Sequence, residues 1–185
     1  MGTTQCALLM FEVVHSFDVD AMCVLNHWLP ASTDTFWLAV TKTITWIPLY
    51  VVMLERLFRR SEMDVFIKRL ALVAIGVLLW DQGAELFKNW IARPRPCQTM
   101  EDLRVLVHCS PYGFFSAHAA NAFGLAFLFR KWMHPSWFPV LLIIALLQSY
   151  SRIHLGVHYP SDLLVGAVWG FLISFVLHKI EKTWS

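Results

Sequence analysis

The sequence predicts an all-α integral membrane protein: a bundle of five transmembrane helices, or six, with an N-terminal helix along the membrane interface. Three observations carry that reading. Of 185 residues, 57% are hydrophobic and only 15% charged, against about 25% charged in ordinary soluble domains. The mean hydropathy is +0.54, and 9 Trp and 14 Phe are present. Five apolar stretches follow residue 35 with little polar sequence between them. A disordered chain is excluded, and a soluble globule is a poor fit. A net charge of +2 gives no basis for nucleic-acid binding. Residues 1–41 hold no Lys or Arg, so the positive start of a cleavable secretory signal is missing.

The elements follow in order. Residues 5–29 contain the apolar runs CALLMFEVV and AMCVLNHWL, interrupted by Glu12, Asp18 and Asp20. An Asp at the bilayer centre costs about 3 kcal/mol on insertion scales. The segment is therefore expected to lie along the interface, with a sixth span as the alternative. The five expected spans are Phe36 to about Phe58, about Phe66 to Ile91, Ala117 to Arg130, Trp137 to about Ser151, and Ser161 to about Leu177. The second becomes polar late, at Asp81, Gln82, Glu85 and Lys88. There is no internal repeat. The reading is one domain over 1–185, with 1–35 as the N-terminal segment and 36–180 as the bundle. The Trp residues are expected at the interfaces.

Positive charge sets the orientation. With five spans, Arg56, Arg59, Arg60, Lys68, Arg69, Arg130, Lys131, Lys179 and Lys182 share one side. The other side receives Lys42, Lys88, Arg93, Arg95, Arg104 and Arg152. The first group is expected in the cytoplasm. The N-terminus and the loops after spans two and four are then outside.

Those two outward loops hold most of the reactive side chains, and charge at the membrane edge tends to mark function. Lys88, Arg95 and Arg152 are cations. Ser116 precedes an apolar helix and suits an N-cap, whose free N–H groups and positive dipole end favour an anion. A phosphate pocket is the natural reading, with His118 one turn into that helix. His158 and Asp162 are four apart, so the carboxylate can hold one ring nitrogen and leave the other free as nucleophile or base. A metal site is the rival, because His154, His158 and Asp162 fall at i, i+4 and i+8. Gly156 and Pro160 interrupt the single helix it needs, and clustered Lys and Arg repel a cation. Asp81, Glu85 and Lys88 share a helical face. Glu85 either pairs with Lys88 or tunes the pocket, and Asn121 either positions His118 or packs. His154 reads as structural. His15, His27, His108, His134 and His178 show no partner pattern.

The residues then match a family pattern. The chain resembles the type 2 phosphatidic acid phosphatase superfamily, with its motifs K-x6-R-P, P-S-G-H and S-R-x5-H-x3-D. Lys88 to Arg95-Pro96 fits the first, with Arg93-Pro94 a second candidate nearby. Ser151-Arg152, His158 and Asp162 fit the third completely. The second reads Phe115-Ser116-Ala117-His118, with Phe for Pro and Ala for Gly. Ala117 still offers its backbone N–H, but would be strained if the position required a positive φ. The resemblance implies that His158 attacks phosphorus to form a phosphohistidine, and that Asp162 orients it. It implies that His118 protonates the leaving oxygen and then activates water. Lys88, Arg95, Ser116, Ala117 and Arg152 would hold the phosphoryl oxygens. It implies no metal and no cofactor.

All four cysteines, Cys6, Cys23, Cys97 and Cys109, fall on the expected outer side. A Cys97–Cys109 disulfide would close a short loop beside the pocket, and an oxidising exterior would permit it; two free thiols are the alternative. The expected partners are a phosphorylated lipid substrate and membrane lipids, with no nucleic acid and no obligatory protein. The expected activity is a metal-independent lipid phosphatase of the bacterial inner membrane, facing the periplasm. The resemblance implies lipid A and undecaprenyl pyrophosphate as the leading substrates, with phosphatidylglycerophosphate or phosphatidic acid as the alternative. A vanadium haloperoxidase and a non-catalytic lipid-phosphate carrier are the rival functions.

Overall fold

The computed structural model describes the backbone of residues 3–184 and the side chains of residues 12–184. Cys6 lies outside the described side chains. The chain is helical: α1 (Thr3–His27), α2 (Asp34–Val40), α3 (Ile47–Arg59), α4 (Met63–Ile91), α5 (Pro96–Thr99), α6 (Ala117–Phe129), α7 (Trp137–His154) and α8 (Pro160–Thr183), with 3₁₀ turns at Ala31–Thr33 and Thr43–Trp46. The second to fourth expected stretches coincide with α4, α6 and α7 to within a few residues, and the fifth with α8, which runs on from about Leu177 to Thr183.

The first expected span is corrected. It is two helices meeting at 68°, broken around Thr41, Lys42 and Thr43. Two β-branched threonines are stiff in a helix, Lys42 is extended, and Pro48 opens α3 where proline suits a helix start. The carbonyls left at the end of α2 are satisfied from the turn. Thr45 Oγ1 donates to Ala39 at 2.6 Å, and Trp46 Nε1 to Val40 at 2.8 Å.

α6 is the centre of the bundle, packed against α4, α7 and α8. Its closest approach is to α8. A Cβ placed on Gly166 would lie 2.6 Å from the Ser116 carbonyl, and one on Gly170 would lie 2.5 Å from the Ala120 carbonyl. Small residues let the two backbones meet, and Ser174 Oγ donates to the Gly124 carbonyl at 2.8 Å. Trp80 is wholly buried against the Gly76 and Gly124 positions. This tryptophan belongs to the core rather than to an interface belt, because two glycines leave an indole-sized space.

Outward faces are apolar. Leu78, Ile143 and Leu164 are 58%, 58% and 67% exposed, a distribution suited to a hydrocarbon surround. Among the described residues, α8 is the helix that by length and composition is fit to cross a membrane, and the α2–α3 pair would add a second if it is one broken span. α6 is apolar but has only 13 residues.

α1 lies across the junction of α7 and α8. Among the described side chains Asp18, Met22 and Asn26 are its buried ones. Asn26 Nδ2 donates to the Ile153 and His154 carbonyls, both at 2.9 Å, and Asp18 reaches Ser161 at the start of α8. Of the three acidic residues that interrupt the apolar pattern, Asp18 is buried and paired, and Glu12 and Asp20 are exposed.

Candidate active site

Three chain turns bring the motif residues together. Ala92 ends α4 in the left-handed conformation, φ 50°, and the prolines of Arg93-Pro94-Arg95-Pro96 keep the chain from resuming the helix. Arg93 and Arg95 are thereby held over the start of α8. Ser116 caps α6, accepting from the Ala119 N–H at 3.5 Å. Gly156, at φ +79°, reverses the chain after α7 where a Cβ would lie 2.7 Å from the Arg104 carbonyl. That reversal delivers Val157 and His158 beneath Arg95.

His158 is buried, with Nδ1 3.4 Å from Asp162 Oδ2 and Nε2 3.4 Å from Arg95 Nη1. The carboxylate face fixes Nδ1 as the protonated nitrogen and leaves the Nε2 lone pair beside the guanidinium. Asp162 is itself held. Arg93 Nη1 donates to Oδ1 at 3.0 Å, and the Tyr159 N–H donates to Oδ2 at 3.1 Å. Arg95 is fixed by the carbonyls of Tyr112 at 2.9 Å and Val157 at 3.1 Å.

Electrostatics follow from this packing. Complete burial holds the His158 ring well below the ordinary imidazole value, and the nearby charges of Arg95, Arg152 and Lys88 press the same way. The ring is therefore neutral at pH 7. Burial also lowers Arg95, while Asp162 and Glu85 support its charge. His118 lies within electrostatic reach of Arg152, His158 and Lys88. The predicted set of His118, His158, Asp162, Lys88, Arg95 and Arg152 is thus gathered in one place.

Other expectations resolve in detail. Ala117 opens α6 without a positive φ, Ala92 being the non-glycine residue with one among those described, so the strain feared from Gly-to-Ala does not arise. The Ser116 N–H donates to the Asp162 carbonyl at 3.1 Å, so Ser116 ties α6 to α8, and the first-turn N–H groups of Ala117 and His118 have no partner within the helix. Glu85 pairs with Lys88 at 2.5 Å and also acts on Arg95. Asn121 donates to Asp81 at 2.7 Å. Cys97 and Cys109 are joined as a disulfide with Cα atoms 6.3 Å apart, and Cys23 is exposed and free. The metal rival is divided, because His154 Nε2 meets Asp34 Oδ1 at 2.8 Å rather than His158.

Two contributors were missed from sequence and a third was named only as a second candidate. Thr41, at the α2–α3 break, accepts from Arg152 Nη1 at 2.7 Å. Arg93 was a neighbouring candidate but not the motif choice, and Asp18 was read as an interruption. His15 and His178 also have partners, in Arg93 and in Glu181 and the Phe127 carbonyl.

Beside His118 opens a cavity of about 440 Å³ running between α3, α4 and α6, from Thr41 and Asn121 to Met53, Val77 and Phe129. Its upper end is polar and its depth apolar.

The profile of the PAP2 superfamily matches residues 67–185. The chain belongs to this superfamily. It is similar to the lipid A 4'-phosphatase of Bacteroides thetaiotaomicron, 30% identical over 187 residues and covering 92% of this chain and 81% of that one. It is also similar to the undecaprenyl-diphosphatase of Sulfolobus acidocaldarius, 29% identical over 90% of this chain and 80% of that one. Its fold is that of the transmembrane PAP2 type phosphatidylglycerolphosphate phosphatase from Bacillus subtilis, with a TM-score of 0.70 and 24% identity over 94% of this chain and 88% of that one. This PAP2 protein is an integral membrane phosphatase, a phosphoric ester hydrolase.

Proposed function

We propose that this chain removes phosphate from a lipid head group at the outer leaflet, through a phosphohistidine formed on His158. The observation that carries the reading is the His158 ring, held by Asp162 on one nitrogen and open beside Arg95 on the other. Nε2 attacks phosphorus while Lys88, Arg95, Arg152 and the first N–H groups of α6 balance charge on the three equatorial oxygens, where phosphoryl transfer needs it. His118 protonates the departing oxygen and then takes a proton from the water that releases phosphate. Asp162 keeps Nδ1 protonated throughout.

The cavity beside His118 supports a lipid leaving group, since an apolar slot between helices accepts hydrocarbon chains while the phosphate stays at the polar mouth. The favoured substrates are lipid A and undecaprenyl pyrophosphate, after the relatives' names. Phosphatidylglycerophosphate and phosphatidic acid are the alternative. The reading places α4, α6, α7, α8 and the bent α2–α3 pair in the bacterial inner membrane, α1 along its outer surface, and the site toward the periplasm. Phosphate release by purified protein in detergent tests it across these four lipids, with His158→Ala as blank. Release from at least one lipid, absent in the blank, is expected. Equal release by the blank would remove the mechanism.

A further inference from the structure

α1 carries none of the superfamily's motif residues, yet its Asp18 is linked to the Asp162 carboxylate through Arg93. Asp18 is fully buried and accepts from Arg93 Nη2 at 2.6 Å. The opposite arm of the same guanidinium, Nη1, donates to Asp162 Oδ1 at 3.0 Å and to Ser161 Oγ at 2.8 Å. The Ser161 N–H donates to Asp18 Oδ1 at 2.9 Å, and its hydroxyl also donates to Asp18. Arg93 lies over the Tyr159 ring at 4.2 Å, and its side chain is 8% exposed against 1% for each carboxylate.

We infer that Asp18 and Arg93 are positioning residues that extend the catalytic dyad into a four-membered chain, Asp18–Arg93–Asp162–His158, in which α1 sets the charge felt by the nucleophile. A buried carboxylate bound to one guanidinium arm weakens the pull of the other arm, because buried charges are screened less than charges in water. Without Asp18, Arg93 would bear on Asp162 unopposed, and Asp162 would support the imidazole less. Without Arg93, Asp162 would stand uncompensated and support it more. The two losses therefore push His158 in opposite directions. A brace that merely held α1 in place would give losses of one kind from either side.

The groups facing His158 are Asp162 on α8, Arg95 before α5, Arg152 on α7, Lys88 on α4 and His118 on α6. Among the described residues, those facing Arg93 are Asp18 and His15 on α1, Tyr159 before α8 and Asp162 on α8. All but the mutated pair stay constant across the variants.

The inference rests on the proposed nucleophilic role of His158. Its test is the acid limb of kcat/KM for wild type, Asp18→Asn, Arg93→Gln and the double variant, on whichever of the four lipids wild type cleaves fastest. Substrate ionisation is common to all four proteins. Asp18→Asn is expected to move the limb to lower pH and Arg93→Gln to higher pH, each by roughly half to one unit. The double variant should return toward wild type. Asp18→Glu keeps the charge and should keep the wild-type limb, which leaves a reading if Asp18→Asn fails to fold. Coincident limbs, or shifts in one direction, would overturn the inference. Activity retained by His158→Ala would instead overturn the proposed mechanism, so the two failures are distinguishable.

Discussion

At the scale of single residues, the proposed mechanism depends on keeping His158 neutral and aimed. His158→Ala is expected to abolish turnover. Arg152→Ala should lower kcat by about 10²–10³, the usual cost of one transition-state donor, as read by phosphate release. The same ring gives a pH prediction for stability. An unfolded imidazole titrates near 6.5, and the folded ring titrates well below that because it is buried among cations. Between those values the unfolded chain binds the extra proton. The contribution of His158 is thus complete above about pH 6.5 and falls as pH drops, by about 1.4 kcal/mol per unit. Melting of purified protein at pH 7.5 and 5.5 checks the sign; a higher midpoint at pH 5.5 would contradict it. Most of these residues were legible because motif spacing is one-dimensional. Asp18 and Thr41 were not, because Asp18 meets Arg93 across 75 positions and Thr41 meets Arg152 across 111, and a lone Asp or Thr carries no spacing signal.

At the scale of elements, the α6–α8 contact decides whether His118 and Asp162 share one pocket. The backbones touch at Gly166 and Gly170, where any side chain collides with a carbonyl. Gly170→Leu should cost about 1–3 kcal/mol as overpacking. It should also lower activity more than a substitution on the outer face of α8 such as Leu164→Ala, with both compared by melting and phosphate release. Equal behaviour of the two would contradict the close approach. Four of the five apolar stretches became helices nearly as drawn, since hydrophobic runs ended by Gly, Pro and charge mark helix limits well. The α2–α3 bend was hidden because its two halves are both apolar, and hydropathy does not register direction. Only Thr41-Lys42-Thr43 and Pro48 hinted at a break.

At the scale of the whole molecule, the charge asymmetry and the single reactive end make one topological prediction. A reporter fused after Arg104 should be active in the periplasm and silent in the cytoplasm, and the reverse result would invert the orientation. Cys97 and Cys109 are joined in the loop after α4, and the proposed orientation would put that loop in an oxidising surround. Orientation and substrate both depend on surfaces that meet lipid, which is why spacing alone reached the reaction before it reached the molecule acted on. The central claim concerns one bond, from phosphorus to His158 Nε2. Rapid acid-free quenching of the protein with a ³²P-labelled lipid substrate tests it. The account predicts a base-stable, acid-labile label on the peptide containing His158, absent in His158→Ala. Turnover with no label on that peptide, or an undiminished label in His158→Ala, would contradict it.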